Sequence, residues 1–505
     1  MSDVVPAAKR EVFGSRFAFI AAAIGMAVGT GNIWRFPRDV HAWGGGAFLL
    51  AVVVATLVWA IPILMAESYM GSKSRLGTVG AFRDFVGRRF TWMGGFMAVV
   101  TIAIMFYYSV VCGWAIRYFV YAVTGRFEQG ITVDETTGIW EGFTDNGVQT
   151  VLFHAIAIGV VGFIVYRGLK GGFEAVLKIV VPALFVMLTI LAIRALTLDG
   201  AAEGLRYLFV PEWDLLRNAE LWLQAFAQMA FSTGAGWGLY LTYCVYMRRR
   251  EDFALNATAI VAGNHLASLL AGVAVICTVF AVGGVALADE ATGAGNEGLT
   301  FIYLAAHFGD MPGGTYFVAP LFFLVLALAG VSSLIAMVEL AARNVVDLGM
   351  RRERAVPLIA VVAFLVGIPA ALNLDYLSNQ DNVWGIGLLI SMLFVAIAMM
   401  KYGLEEVRRE MDADSDFGVG AWWTFLIRIF PVMFAILFGW FLYQSVTDAT
   451  TAWWNPFDTF SLASMVVQWV VVAVILLLLN NALARRVNRG PLTASGLGRE
   501  RQVGR

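Results

Sequence analysis

The chain of 505 residues is 60% hydrophobic and only 14% charged, a balance that excludes a single soluble globular body. Its net charge of −1 leaves no basic footprint for a nucleic acid, and three scattered cysteines, Cys112, Cys244 and Cys277, show neither metal spacing nor a disulfide framework. Four dispersed histidines, His41, His154, His265 and His307, form no cluster on which a membrane enzyme would run.

Long apolar runs such as Ala47 to Ala66 and Val466 to Leu479 approach the roughly 20 residues that a spanning helix needs. The chain therefore reads as an all-α polytopic membrane protein of about 12 transmembrane helices, centred near residues 27, 56, 107, 158, 186, 235, 270, 330, 364, 393, 433 and 472. The opening stretch imitates a signal peptide, but it lacks a clean small-residue cleavage site and is read as the first span after a cytoplasmic segment, residues 1–12. Within that span, Gly25 to Pro37 reads GMAVGTGNIWRFP, placing three glycines, an Asn and an Arg where an unbroken apolar helix is expected. Each helical Gly costs about 1 kcal/mol relative to Ala, and an unpaired Asn in hydrocarbon is more costly still. Gly25 and Gly29 also have the spacing of a small-residue helix contact, while the stretch lacks the third Gly and the preceding strand of a dinucleotide loop.

Basic residues cluster after the even-numbered spans. Lys73, Arg75, Arg83, Arg88 and Arg89 follow span 2, Arg167 and Lys170 follow span 4, Arg248 to Arg250 follow span 6, and Arg351, Arg352 and Arg354 follow span 8. No Lys or Arg lies between Glu251 and Ala342, so both termini are expected to be cytoplasmic in a plasma (inner) membrane. Long loops at 125–149 and 287–315 would lie outside, and the tail, residues 486–505, is expected to lie disordered beside anionic lipid.

Span 6, Ala225 to Tyr243, carries Gly234, Gly236 and Gly238 at the depth where span 1 carries its glycines. Spans 1 and 6 open two sets of five, which must run in opposite directions because five is odd. Residues 13–198 and 199–410 are thus expected to form a 5+5 inverted repeat with broken helices 1 and 6, followed by two further helices over 411–485. Paired breaks of this kind point to a secondary transporter with its site near the midplane. Unwound turns free carbonyl oxygens for a dehydrated cation and turn a half-helix amide end toward a carboxylate.

The stretches AVGTGNIWRFP in span 1, GGGAF at Gly44 to Phe48, the Tyr107–Tyr108 pair, GAGWG in span 6 and AGVSS at Ala329 to Ser333 resemble the neurotransmitter:sodium symporter (solute carrier 6) family, with its LeuT-type fold. The resemblance covers essentially the whole chain and implies a sodium-coupled symporter that imports an amino acid by alternating access. It implies a first Na⁺ site of the Ala27 carbonyl, Asn32, Ser232 and Asn264, completed by the substrate carboxylate. A second would use the carbonyls of Gly25, Val28 and Ala329 with the hydroxyls of Ser332 and Ser333. Tyr108 would bind the carboxylate and Phe231 would close as a lid. Met26, Ile104, Gly234, Trp237, Ser333 and Met337 would line the side-chain pocket, with Ala27 and Gly31 also against the substrate. Two serines in a helix otherwise bond back to the preceding turn.

The same resemblance pairs Arg35 with Asp381 as the outer gate and Arg10 with Asp347 as the inner one, with Phe13 where the family usually has Trp. Glu67 and Glu339, acids inside spans 2 and 8, are expected to hydrogen-bond the freed backbone of the broken helices. Pro182, ten residues after Gly172, resembles a motif that unwinds span 5, although an ordinary Pro kink fits as well. Gly29 stands where monoamine carriers of the family place an Asp, which argues for an amino acid, and the apolar lining of the side-chain pocket, with bulky Trp237 offset by small Gly234, argues for a neutral one. Ser268, one turn after Asn264, joins Gln228, Ser232 and Asn264 as a chloride site by the same resemblance, with Val52 replacing the family's tyrosine. Expected partners are thus an amino acid, Na⁺ at two sites, Cl⁻ and the lipid bilayer, with no nucleic acid, for a monomer or dimer. A proton-coupled or exchanging permease of the same fold would lack the Ser332–Ser333 pair or replace Na⁺ with a basic side chain.

Overall fold

A computed structural model describes residues 11–248, 251–416, 418–447 and 452–488. Among these residues the chain is helical throughout, and its one β pairing is an isolated bridge between Gly45 and Pro211. Ten helices are long and apolar enough to cross a membrane: Gly46–Ser74, Arg88–Val123, Gly147–Tyr166, Leu169–Leu196, Phe253–Gly293, Gly314–Asp347, Arg352–Leu372, Leu374–Tyr402, Ala421–Thr447 and Leu462–Arg486. In chain order these are spans 2 to 5 and 7 to 12. Spans 1 and 6 are the two broken ones, so the described helices supply twelve crossings.

Span 1 begins at Arg16–Ala27, capped by the Ser15 hydroxyl, which accepts the Ala18 N–H. It stops because Val28 and Gly29 are extended, and it resumes as Thr30–Ile33 and Arg35–Ala42. Span 6 runs as Ala219–Ser232, is interrupted, and continues as Leu239–Cys244. The interruption contains three left-handed glycines, Gly234, Gly236 and Gly238, with φ of 74°, 79° and 74°. No other residue type adopts that run without strain, which is why the break falls there.

Spans 3, 8 and 10 are the most buried helices, whereas spans 11 and 12 lie at the periphery with long apolar faces exposed, as at Val467, Val470 and Leu478. Lipid supplies no hydrophobic drive between helices, so close approach must come from small residues. At Gly71, for example, an added Cβ would lie 2.1 Å from the Leu241 carbonyl oxygen, so span 2 sits directly on the second half of span 6.

Of the two expectations attached to Pro182, span 5 matches the ordinary proline. Glu174–Leu196 is a continuous helix with Pro182 inside it, and the irregular backbone is confined to the preceding turn, Leu169–Phe173, where Gly172 has φ −120° and ψ −106°. Pro182 therefore behaves as an ordinary helix-interior proline, with neighbouring helices supporting the turn around its missing donor.

Candidate functional site

The two breaks face each other across a cavity of about 380 Å³. Its walls include all ten expected substrate contacts: Met26, Ala27, Gly31, Ile104, Tyr108, Phe231, Gly234, Trp237, Ser333 and Met337. The Tyr108 hydroxyl accepts the Thr30 N–H at 3.1 Å, at the start of the half-helix that resumes after Gly29. A Cβ on Gly29 would lie 2.8 Å from both that hydroxyl and the Ser333 Oγ, so a side chain there would have to displace them. Gly25 has a second role that its spacing had suggested, since its Cβ would lie 2.7 Å from Val181 of span 5. Packing and unwinding thus draw on neighbouring glycines of one motif.

Below Gly29, five neutral oxygens converge. The Ser332 hydroxyl lies 3.2 Å from the Val28 carbonyl and 2.8 Å from that of Ala329; the Ser333 hydroxyl lies 3.5 Å from the Gly25 carbonyl and 3.4 Å from Val28. All five atoms are hard, uncharged donors grouped across a break in one helix, a set suited to a dehydrated Na⁺. The back-bonding expected of a serine in a helix is also present, in the Ser332 to Ala329 bond.

Beside the break in span 6, the second oxygen-rich set is assembled around Asn32. Its Oδ1 accepts the Gly29 N–H at 2.9 Å, and its Nδ2 lies 2.8 Å from the Asn264 amide, 3.2 Å from the Ser232 hydroxyl and 2.8 Å from the Ser268 hydroxyl. The Asn264 amide in turn sits 2.8 Å from the Ser232 hydroxyl and 3.1 Å from the Ala27 carbonyl. The first sodium set and three of the four chloride candidates therefore form one buried polar network. Gln228, the fourth, lines the same cavity with its carbonyl oxygen buried and without a hydrogen-bond partner among the described residues. One turn beyond Val52, the Thr56 hydroxyl lies 2.6 Å from His265 Nε2, beside Asn264; sequence reading had not joined this pair.

Support for the unwound segment comes from span 2, as anticipated. Glu67, fully buried, accepts the Gly236 N–H at 2.6 Å and the Leu241 N–H at 3.4 Å. The Trp237 indole N–H crosses the break to the Ala230 carbonyl at 2.9 Å, and the Thr101 hydroxyl donates to the Trp237 carbonyl at 2.6 Å. Glu339 behaves differently from its expectation: it pairs with Arg352 at 2.5 Å and accepts the Tyr246 hydroxyl, fastening span 8 to spans 9 and 6 rather than holding freed amides. A full positive charge within reach is a stronger partner for a buried carboxylate than a peptide N–H.

At the mouth, Arg35 lies over the Phe231 ring at 4.0 Å and pairs with Asp39 at 3.5 Å, while Asp381 accepts the Tyr107 hydroxyl at 2.8 Å. The expected Arg35–Asp381 partners thus line the same cavity but are each held by another residue, and the cavity reaches between them to Leu377, Ser378 and Phe460. Phe231 rests against Gly385, where a Cβ would lie 2.1 Å from the ring, a cross-helix contact invisible in sequence.

The opposite end is sealed. Phe13 is 1% exposed and makes edge contacts with the rings of Phe19, Phe173 and Tyr243, so the smaller residue at this position fills an aromatic nest of its own. Arg248 donates to the Phe13 and Gly14 carbonyls, and Glu174 accepts the Gly14 N–H. Asp347 pairs with Arg343 at 2.9 Å and accepts the Gly77 N–H at 2.6 Å, whereas its expected partner, Arg10, lies outside the described residues.

With this geometry in view, the comparisons are specific. The family model "Sodium:neurotransmitter symporter family" matches residues 10–129 and 133–487. An uncharacterised sodium-dependent transporter of Methanocaldococcus jannaschii is 30% identical over 83% of this chain and 88% of its own. The sodium-dependent serotonin transporter of Drosophila melanogaster is 27% identical over 85% of this chain and 76% of its own. Among solved structures, MhsT in complex with L-phenylalanine superposes with a TM-score of 0.75 at 28% identity, covering 85% of this chain and 99% of that one. It has the LeuT-type fold. With nearly its full described length matched and its two broken helices facing one cavity, the chain belongs to the sodium:neurotransmitter symporter family and is a transporter rather than an enzyme.

Proposed function

We propose that this protein is a symporter that couples the uptake of a neutral, largely apolar amino acid to Na⁺ at two sites, by alternating access of one central cavity. The observation that carries the reading is the convergence of uncharged oxygens at both ends of the break in span 1, with Gly29 between them. A neutral oxygen set leaves the ion's charge unbalanced, and an amino-acid carboxylate beside Ala27, Asn32, Ser232 and Asn264 balances it. Gly29 supplies no protein carboxylate in that role, and in this reading the anion arrives with the substrate. The Tyr108 hydroxyl and the amide end at Thr30 to Gly31 receive the carboxylate. Met26, Ile104, Gly234, Trp237, Ser333 and Met337 surround the side chain, and Phe231 closes above it. These six residues carry no charge to meet a basic or acidic side chain, the charged residues of the cavity standing at its mouth.

In this reading the repeats at 13–198 and 199–410 rock about the cavity, and Na⁺ and substrate each stabilise the closed arrangement of the broken helices, so their binding is positively coupled. Basic loops and both termini face the cytoplasm. Chloride at Gln228, Ser232, Asn264 and Ser268 completes the charge balance. Purified protein in proteoliposomes, offered labelled amino acids under a Na⁺ or a K⁺ gradient, tests the reading: uptake and high-affinity binding should require Na⁺. Equal affinity in both cations would overturn it.

A further inference from the structure

The charges at the mouth do not balance within the Arg35–Asp381 pair alone. The helix Arg35–Ala42 carries two guanidinium groups toward the cavity, Arg35 and Arg38, and both lean on one carboxylate, Asp39, at 3.5 Å and 2.9 Å. Asp381 is held by the Tyr107 hydroxyl. Facing them from the loop between spans 7 and 8 is Glu297, the last residue of the short turn Gly295–Glu297, which lines the same cavity beside Asn296. Its side chain has no ion pair and no hydrogen bond to another residue among the described residues. Burial raises the Glu297 carboxyl above the usual carboxylate range; the nearby charge of Asp381 acts in the same direction and that of Arg38 opposes both. An acid so placed is poorly solvated where it stands and is stabilised by any approach to a cation.

We propose that Glu297 is a third charged member of the outer gate, which takes Arg38 as its partner when the loop descends over the substrate. The proposal rests on the symport reading above, since closure of the mouth belongs to that cycle. In the open arrangement Arg38 and Arg35 share Asp39. On closure Arg35 turns to Asp381, while Arg38 keeps Asp39 and takes Glu297 on its remaining N–H groups, so no charge of the mouth is left without a partner and the ionised form of Glu297 is favoured. Glu297 thereby makes the loop, and not only spans 1 and 10, sensitive to whether the cavity is filled.

The test uses the full-length protein in proteoliposomes with a reporter, Ser378→Cys, on the cavity wall; the native cysteines are all buried. A membrane-impermeant thiol reagent should label the reporter readily in K⁺ and slowly in Na⁺ with a saturating amino acid. Glu297→Gln keeps the shape of the side chain and should speed labelling in Na⁺ plus amino acid by about three- to fivefold, the range of a partly screened ion pair, with no change in K⁺. The exchange Arg38→Glu with Glu297→Arg should restore slow labelling to within about twofold of the parent, which loss of packing alone would not allow. Labelling of Glu297→Gln at the parent rate, or an exchange variant as fast as the single one, overturns the proposal alone. Absence of protection by Na⁺ and amino acid in the parent overturns the symport reading and this proposal with it.

Discussion

The two ends of the central cavity are closed by different kinds of matter. At the mouth the walls are charged and partly exposed: Arg35, Arg38, Asp381 and Glu297 stand around an opening with few direct pairings. At the basic end, Phe13 sits among the rings of Phe19, Phe173 and Tyr243, and beneath them Glu339 with Arg352 and Asp347 with Arg343 are paired and largely buried. Charge at an open mouth makes closure reversible and sensitive to what enters. Packed rings and buried pairs make the other end a seal with a high cost of opening. The difference means that the described arrangement admits ligand from the mouth, and that ion and substrate binding must be converted into enough free energy to part the seal.

The most damaging way to disturb this asymmetry is to remove the element both ends depend on. Ser332→Ala combined with Ser333→Ala should reduce Na⁺-driven uptake to background while helical content, followed by circular dichroism, stays unchanged; ordinary uptake by that variant would remove the second ion site as drawn. Next in size is a breach of the seal. Arg352→Ala leaves Glu339 buried without its cation and should cost about 3–5 kcal/mol, read as a lowered melting temperature in detergent, whereas Glu339→Gln with Arg352→Met should recover much of that loss. If Arg352→Ala melts as the parent does, the pair is not a fastener. At the mouth a smaller effect is expected from Gly385→Ala, which pushes on the Phe231 ring and should raise the apparent KM about tenfold with little change in maximal rate. A fall in maximal rate alone would argue that the ring does not contact substrate. The smallest effect concerns charge balance beside Asn264. Replacing Cl⁻ with gluconate should slow uptake about twofold to fivefold, and Ser268→Glu should remove that dependence, since one carboxylate at about 4 Å can stand in for the anion. Equal uptake in both anions would sink the chloride assignment.

Much of this was legible because it is local. Gly25, Gly29, Gly234, Gly236 and Gly238 announce the breaks through backbone chemistry alone, whereas the Ser332–Ser333 pair and Asn32 stand out as ion ligands only through the family resemblance, since serines in a helix otherwise bond back to the preceding turn. The role of Glu67 followed from a general expectation, since an acid inside a span needs donors and a broken helix has amides to offer. Glu339 obeyed the same need by a different route, because Arg352 begins the next span and folds back to it, a proximity that spacing along the chain does not reveal. Asp347 is instructive in the other direction: its partner Arg343 is one turn away on the same helix and could have been read directly. Gly385 under Phe231, Thr101 on Trp237 and Thr56 on His265 were illegible for one reason, that each joins residues of different spans whose relative rotation no single helix fixes. Pro182 left two readings open because a proline signals a missing donor but not whether neighbouring helices hold the turn together.

The bond from the Trp237 indole to the Ala230 carbonyl ties the residue that shapes the cavity to the helix that must pivot. Mechanically it is an angular stop. The ring cannot swing aside to admit a larger guest without loosening the tether across the break, and the break cannot bend without moving the ring. Under the symport proposed above, the size of molecule accepted and the timing of the conformational step are therefore one inherited property. A mutation that widens the range of cargo at Trp237 will change turnover in the same stroke, and selection acting on either will be felt by both.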